Sequence, residues 1–472
     1  MDNLSNYPKV IDYLRKKIIG TQWEGHLFVV GGCCRDMIMG RPIHDIDLTV
    51  DLPLGSVKFS RWLRSRHLTL GAPLVFQRYS TARLRLKAFP DDELEIVQTR
   101  SDKYGPHNAD NPAAAFGSLA DDFTRRDLTI NSLYYDISAD RMLDLCGMAL
   151  ADIKNKIIRT PADPERTFDD DPLRIVRCIR FACSFGWEIH PETMVALKKN
   201  PASIKIASKE RIRSEFDKLI SCQAPAKALE MLEQCGIMSV IMPELSPIFG
   251  MPDNSSNQGS VWQHTLRTVK AMAGISSDVN MRLAALLCDA GKALSYTRHD
   301  NGKVTFPRHD RRAAPVIDPA MKRLRYEPKI INNIIFLARN HTAAKKWGDN
   351  AENMSDADLR SLQYLCETRD RFERLLTLIH ADNLSHTERP SLAGQVPAIR
   401  KRAAEFKASG TEMFGFNLPI QSLHIRKLLQ IQPGQKVEHC KDYLMKCAFE
   451  NPKLNREKCR QLLLKKFSRK AQ

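Results

Sequence analysis

The chain has 472 residues, more than the roughly 250–300 at which a single hydrophobic core stops growing, so several modules are expected. Its 72 Lys+Arg against 55 Asp+Glu leave a net charge of +17 and a pI near 9.3, which favours a polyanionic partner such as nucleic acid over a neutral metabolite. No apolar run approaches the roughly 20 residues of a membrane span, MDNLSNYPKVIDYLRKKI has the character of neither a signal nor a transit peptide, and 12 scattered cysteines without a CxxC pair point to a reducing, cytoplasmic setting.

Residues 26–135 mix β-type runs (HLFVVGG, DIDLTVDL, LVFQRYSTARLRLKAF, LEIVQTR) with short helical stretches, which predicts an α+β domain over 1–150. VVGG closes a strand, and Gly31 and Gly32 let backbone amides approach a phosphate while Arg35 adds positive charge. Alternation along the next strand sends Asp45 and Asp47 to one face, and two carboxylates beside a phosphate-binding turn are what a pair of Mg²⁺ ions needs. Glu95, between core-facing Leu94 and Ile96, is the candidate third carboxylate; surface acids on an edge strand are the bland alternative. Cys33 and Cys34 lack a second Cys/His group at zinc spacing and read as small packing residues in the turn, with a redox role as the alternative.

From FDDDPLRIVRCIRFACSFGW onward the pattern is helical, giving a second segment over 151–250 in which Arg174, Arg177 and Arg180 recur in steps of three. Ile175, Val176, Ile179 and Phe181 leave these arginines on a distinct side, directed at something anionic. MPDNSSNQGS (251–260) is a loop-forming break. A third, helical segment over 251–390 contains a polar loop, TRHDNGKVTFPRHDRR, and after Ser391 the chain becomes a basic helical tail. Residues 401–472 carry 16 Lys+Arg against 6 Asp+Glu, which makes this end the expected polyanion surface, with a solvated helix face as the alternative.

In the order GGCCRD, DID, TRRDLTIN, DDPLRIVRCIRF and SKERIRSE, the motifs from about Phe28 to Leu219 resemble those of the class II tRNA nucleotidyltransferases, or CCA-adding enzymes, and of their relatives the bacterial poly(A) polymerases. The resemblance implies a DNA polymerase β-like nucleotidyltransferase head followed by an all-α neck, body and tail. It implies Asp45 and Asp47 as Mg²⁺ ligands with Glu95 as third carboxylate, Gly32 and Arg35 on the triphosphate, and Arg126, Asp127 and Asn131 around ribose and phosphates. Arg177 and Arg180 would hold the triphosphate. Asp171 and Arg174, three apart, would share one helix face as the base-selecting pair. Arg offers only donors and Asp only acceptors. They complement cytosine (acceptors O2 and N3, donor N4) and adenine (acceptor N1, donor N6), whereas uracil and guanine place a donor where Arg needs an acceptor.

The implied reaction is transfer of CMP and AMP from CTP and ATP to the 3′ end of tRNA. FQRYSTARLRL lies closer to the FGTAxVxL pattern of CCA enzymes than to the basic strand of poly(A) polymerases; poly(A) synthesis and C-only or A-only addition are the family alternatives. WQHTLRTV, LLCDAGKA, FPRHDRRA and LIHADNLSH resemble an HD phosphohydrolase domain, with His264, Asp289 and Asp382 in place and Cys288 where a histidine belongs. A thiolate suits Mg²⁺ or Mn²⁺ poorly, so the domain is expected to serve as a structural body and RNA-contact surface, with His309 and His341 as isolated histidines. From other classes, an inactive RNA-binding relative and a metal-dependent phosphohydrolase are the competing readings.

Overall fold

The computed structural model describes residues 7–43, 45–101, 115–253, 259–347, 354–386 and 390–467. The chain divides into two compact units, Met1–Pro243 and Glu244–Gln472.

The first unit is built on a seven-stranded mixed sheet whose strands are β1 (Leu27–Val30), β2 (Ile46–Val50), β3 (Leu74–Phe76), β4 (Thr81–Leu86), β5 (Phe89–Gln98), β6 (Tyr134–Asp136) and β7 (Arg141–Leu143). Their order is β3-β4-β5-β2-β1-β6-β7, and only the β2–β5 pair is parallel. In that pair Asp47 stands opposite Glu95, so the chain crosses the sheet to bring two distant carboxylates into register. The run LVFQRYSTARLRLKAF, expected as one β segment, is two antiparallel strands, because Ser80 takes a left-handed conformation (φ 44°) that reverses the chain. Strand β4 then follows the two-residue rule closely: Ala82, Leu84 and Leu86 are buried while Arg83 and Arg85 face outward. Beneath the sheet, Trp23, Phe59 and Trp62 pack with ring centroids 5.1–6.1 Å apart.

The expected continuous helix through FDDDPLRIVRCIRF is two helices, Pro164–Asp170 and Leu173–Phe185. Pro172 disfavours a helical conformation at the residue before it, and Asp171 is extended (φ −148°, ψ 100°). The second helix buries Leu173, Ile175, Val176, Cys178 and Ile179 and packs against the Lys209–Ile220 helix.

Among the described residues, the second unit is helical apart from the hairpin Thr297–Arg298/Val304–Thr305, which lies inside the segment read as a polar loop. Its helix Val261–Ile275 opens with Ser260 and Gln263 satisfying each other's backbone amides. Met413, Ile425, Leu444 and Leu463 form part of a separate apolar cluster in the basic tail. No described helix is long and apolar enough to cross a membrane.

A buried charge anchors the first unit. Asp122, fully inaccessible, accepts from the Arg100 amide (3.1 Å), Arg125 (2.8 Å), Arg126 (2.9 Å) and the Tyr134 hydroxyl (2.6 Å), tying the Leu119–Thr124 helix to the end of β5 and to β6. Burial opposes its ionisation, but Arg126 and Arg125 outweigh that and hold the carboxyl well below its ordinary range. Asp122→Ala takes the buried counter-charge from the two half-buried guanidinium groups of Arg125 and Arg126, so urea unfolding of the first-unit transition should show a loss of about 3–5 kcal/mol. A loss below about 1 kcal/mol would mean that the network is not an anchor.

Candidate active site

At the end of β1 the chain turns through Gly31 (φ 73°), a conformation that suits glycine, into the Gly32–Ile38 helix. A side chain at Gly31 would sit between Arg126 Nη1 (3.7 Å from its Cβ) and Asp47 Oδ2 (3.9 Å). The turn therefore leaves a passage between a guanidinium and a carboxylate. Cys33 and Cys34 are buried, and burial pushes the Cys33 thiol up to about 12, so neither is a nucleophile in this fold. Cys33 does more than fill space: its thiol donates to the Asp45 carbonyl (2.7 Å) and accepts from the Asp47 amide (3.5 Å), clamping the backbone that carries both aspartates.

Asp45 is exposed just ahead of β2 and Asp47 is half-buried within it. Burial, and then the charges of Glu95 and Asp45, push the Asp47 carboxyl up to about 6, although Arg126 and Arg83 pull the other way. This crowding of like charge fits a divalent cation, whose binding would relieve it. Glu95 is held by Arg83, its cross-strand neighbour on β4, at 2.9 Å. The ligand atoms of Asp45, Asp47 and Glu95 do not converge within 4.8 Å of one another.

Arg35 is not turned toward open space. It is buried, donates to Asn131 Oδ1 (2.7 Å) and to Asp36 (2.8 Å), and lies over the rings of Phe181 and Phe185. Asn131 in turn donates to Asp127 (3.1 Å). In this fold Arg35 is a strut between the turn and the helical segment.

A cavity of about 350 Å³ in the same unit gathers Arg126, Asp127, Asp171, Arg174 and Arg177. It also gathers four residues not singled out in the sequence, Arg125, Arg211, Ser214 and Glu215. Arg125 neighbours a singled-out residue, and the other three lie in SKERIRSE, a motif visible in the sequence but without assigned roles. Asp171 and Arg174 meet here not as i, i+3 partners on a helix but across a helix start, where the Asp171 carbonyl accepts from the Arg174 amide (3.0 Å). Arg211 holds the Asp171 carboxylate at 2.7 Å, and the carbonyls of Thr167 (3.1 Å) and Arg125 (2.6 Å) orient Arg174.

The arginine stripe is internally paired as well. Arg177 binds Asp127 at 2.6 Å and Glu215 at 3.3 Å; Arg180 binds Glu215 at 3.1 Å and lies over Phe181. Burial alone would raise Glu215, but Arg177, Arg180 and Lys218 bring it below its ordinary value. The cavity is lined by five arginines and three carboxylates, an excess of +2 available to an anion. Arg126 both lines the cavity and flanks the Gly31 turn, joining it to the carboxylates.

In the second unit, His264, Asp289 and Asp382 are buried together, while Cys288 donates to the Ala285 carbonyl (3.4 Å). His309 and His341 are not isolated; both approach Asp289.

Two family models match, "Poly A polymerase head domain" over residues 27–159 and "Probable RNA and SrmB- binding site of polymerase A" over 186–249. The chain is similar to the tRNA nucleotidyltransferase of Schizosaccharomyces pombe, with 34% identity over 237 residues, 47% of this chain and 46% of that protein. It is also similar to the mitochondrial CCA tRNA nucleotidyltransferase of Saccharomyces cerevisiae, with 30% identity over 232 residues, 46% of this chain and 42% of that one. These matches span less than half the length of either relative. In fold it is similar to the CCA-adding enzyme of Bacillus stearothermophilus, solved in complex with CTP, with a TM-score of 0.63 over 98% of each chain at 17% identity.

The Arg177 pairing carries a pH signature. Burial alone would raise Asp127, but Arg177 and Asn131 outweigh it and set the carboxyl at about 2, below its ordinary 3.8. A depressed carboxylate stabilises the fold fully above its unfolded pKa and loses that contribution as pH falls through the folded value. Thermal unfolding should therefore show roughly 1–3 kcal/mol lost between pH about 4 and about 2 from this group, and Asp127→Asn should flatten that slope.

Proposed function

We propose that this chain, which belongs to the family of class II tRNA nucleotidyltransferases and poly(A) polymerases, adds CMP and AMP to the 3′ end of tRNA, consuming CTP and ATP and releasing pyrophosphate. The observation that carries this reading is the single cavity in which Asp171 and Arg174, the base-reading donor and acceptor set, lie beside Arg126 and Arg177. A nucleoside triphosphate seated there would present its base edge to Asp171 and Arg174 and run its phosphates along Arg126 toward the Gly31 turn. The names of the relatives and the CTP complex of the similar structure support the same reading.

Within it, residues 1–150 are the catalytic head, 151–250 the neck and body, 251–390 the HD-like domain and 391–472 the RNA-binding tail. Asp45 and Asp47, with Glu95 as third carboxylate, would hold two Mg²⁺ ions, which supply activation of the tRNA 3′-hydroxyl and neutralisation of the departing pyrophosphate. The residues themselves do the positioning. Arg126 and Arg177 screen phosphate charge, and Asp127 and Asn131 orient Arg177 and Arg35. Arg211 and the two carbonyls preset the selecting pair, so that base recognition costs little reorganisation. In the tail, His424, Lys427, Arg456 and Arg460 line a cavity of about 730 Å³, which suits a phosphate backbone. The compartment we propose is the cytoplasm.

The deciding assay supplies a tRNA lacking its 3′ terminus with each α-labelled nucleotide, singly and in pairs. CTP followed by ATP, stopping after three additions, is expected. A long A-tail would instead indicate poly(A) synthesis, incorporation of one nucleotide alone a C-only or A-only enzyme, and no incorporation an inactive RNA-binding relative. Asp45→Asn with Asp47→Asn should lower CMP and AMP incorporation by about 10³-fold or more, and retention of activity would refute the carboxylate assignment. Arg211→Met should unpin Asp171 and raise UTP incorporation relative to CTP by about tenfold, measured as the ratio of kcat/KM values.

A further inference from the structure

One row of side chains runs across four strands of the first unit's sheet. Asp47 on β2 stands opposite Glu95 on β5, Glu95 opposite Arg83 on β4, and Arg83 opposite Leu74 on β3. Residues opposed in register share a face, so Glu95 has a carboxylate on one side and a guanidinium on the other, each one strand away, about 5 Å. It is Arg83 that holds it. Arg83 Nη2 donates to Glu95 Oε2 at 2.9 Å, whereas the next pair along the same two strands, Arg85 and Glu93, is 3.8 Å apart. Glu95 is thus drawn to the β4 side, and its ligand atoms stay apart from those of Asp45 and Asp47.

The pair is easily exchanged. Arg83 is 49% and Glu95 38% exposed, and an ion pair so open to water is weak, so another anion offered to Arg83 competes with Glu95. The order of strands indicates which anion. Gly31 follows β1, and Arg126 donates to the Tyr134 hydroxyl of β6 (3.0 Å), so the groups read as nucleotide phosphate contacts lie on the β1 side of Asp47. Arg83 lies on the opposite side, beyond β5. A 3′-hydroxyl reaching the carboxylates from there carries its own phosphodiester one sugar away, and Arg83 is the cation that this phosphate meets. Beyond Arg83 the row ends in exposed Leu74, with exposed Phe76 two residues on along the same face of β3. Apolar and aromatic surface beside an arginine suits an unpaired base and its phosphate.

On the nucleotidyltransferase reading above, we propose that Arg83 is a positioning residue that changes partners. In the free protein it holds Glu95 away from Asp45 and Asp47; when RNA binds, it passes to the phosphodiester of the terminal nucleotide and releases Glu95 to the other two carboxylates. The cluster is then completed only with an acceptor strand in place, which guards the nucleotide from transfer to water.

The test uses the full-length chain and a tRNA lacking its 3′ terminus, made either with an ordinary terminal phosphodiester or with a neutral methylphosphonate at that linkage. Binding is measured in chelator, so no chemistry is needed. The neutral linkage should weaken binding to the unsubstituted protein about tenfold; Arg83→Gln should weaken binding of the ordinary RNA by a similar factor, lower the salt slope by about one and erase the difference between the two RNAs. Arg83→Lys should restore part of the affinity. Release of Glu95 is read separately and without RNA, from the Mn²⁺ affinity of the head, taken as the binding component lost with Asp45→Asn and Asp47→Asn. Arg83→Gln should raise that affinity severalfold, and the gain should vanish in a Glu95→Gln background. A gain that persists there is charge repulsion alone and overturns the exchange. A neutral linkage that costs both proteins the same, or no RNA binding at all, overturns it too. If the linkage makes no difference while CMP and AMP are still incorporated, the exchange fails and the nucleotidyltransferase reading stands; if the exchange is seen without incorporation, only that reading fails.

Discussion

The guanidinium of Arg177 is the point on which the first unit turns. It stands on the Leu173–Phe185 helix and is shared between Asp127, from the motif that follows the sheet's central strands, and Glu215, from the Lys209–Ile220 helix. Arg177 is half-buried, but its two partners are buried carboxylates that would lose a counter-charge without it, so three segments are held in one arrangement by one side chain. The walls of the arginine-lined cavity follow from it. Asp127 carries Asn131, Asn131 carries Arg35, and Arg35 meets the aromatic rings at the end of the same helix. Charge pairing of this density also explains how so many arginines, most of them half-buried, can gather in one place: each is partly neutralised, while the cavity keeps a net positive excess.

On the other side of Arg126 the constraint is electrostatic in the opposite sense. Asp47 and Glu95 stand side by side on a parallel strand pair, with Asp45 just ahead of it, and burial together with the charges of Glu95 and Asp45 raises the proton affinity of Asp47. The parallel pairing of β2 and β5 is what brings Glu95, nearly fifty residues on, opposite Asp47; an antiparallel hairpin could not have done so across that span. Cys33 supports this arrangement through the backbone of both aspartates, so a residue chosen for small size also sets the geometry of its charged neighbours.

Much of the head was legible in the order of its residues. Apolar alternation located β2 and β4, and the glycine turn and paired acids stood out because a phosphate turn and a divalent cation demand those residue types at short spacing. The break at Asp171–Pro172 was readable too, since proline constrains the residue before it, yet the helical periodicity on both sides masked it. The internal pairing of Arg35 was not legible, because its partner, Asn131, lies 96 residues away and no local pattern reports that distance.

The second unit shows the same division more sharply. Sequence alone supplied the histidines and aspartates and the substitution at Cys288, and read His309 and His341 as solitary because each lies far along the chain from its partners. By itself, then, the sequence determined the elements, the charge balance, the family of motifs and the chemical types available for nucleotide transfer, all of which depend on local spacing. Only the tertiary structure decided which arginines are paired and which way the Cys288 thiol turns. It also decided that five side chains close on the two carboxylates, four of them imidazoles and one Lys292, because those outcomes depend on distances across the core that the linear order does not encode.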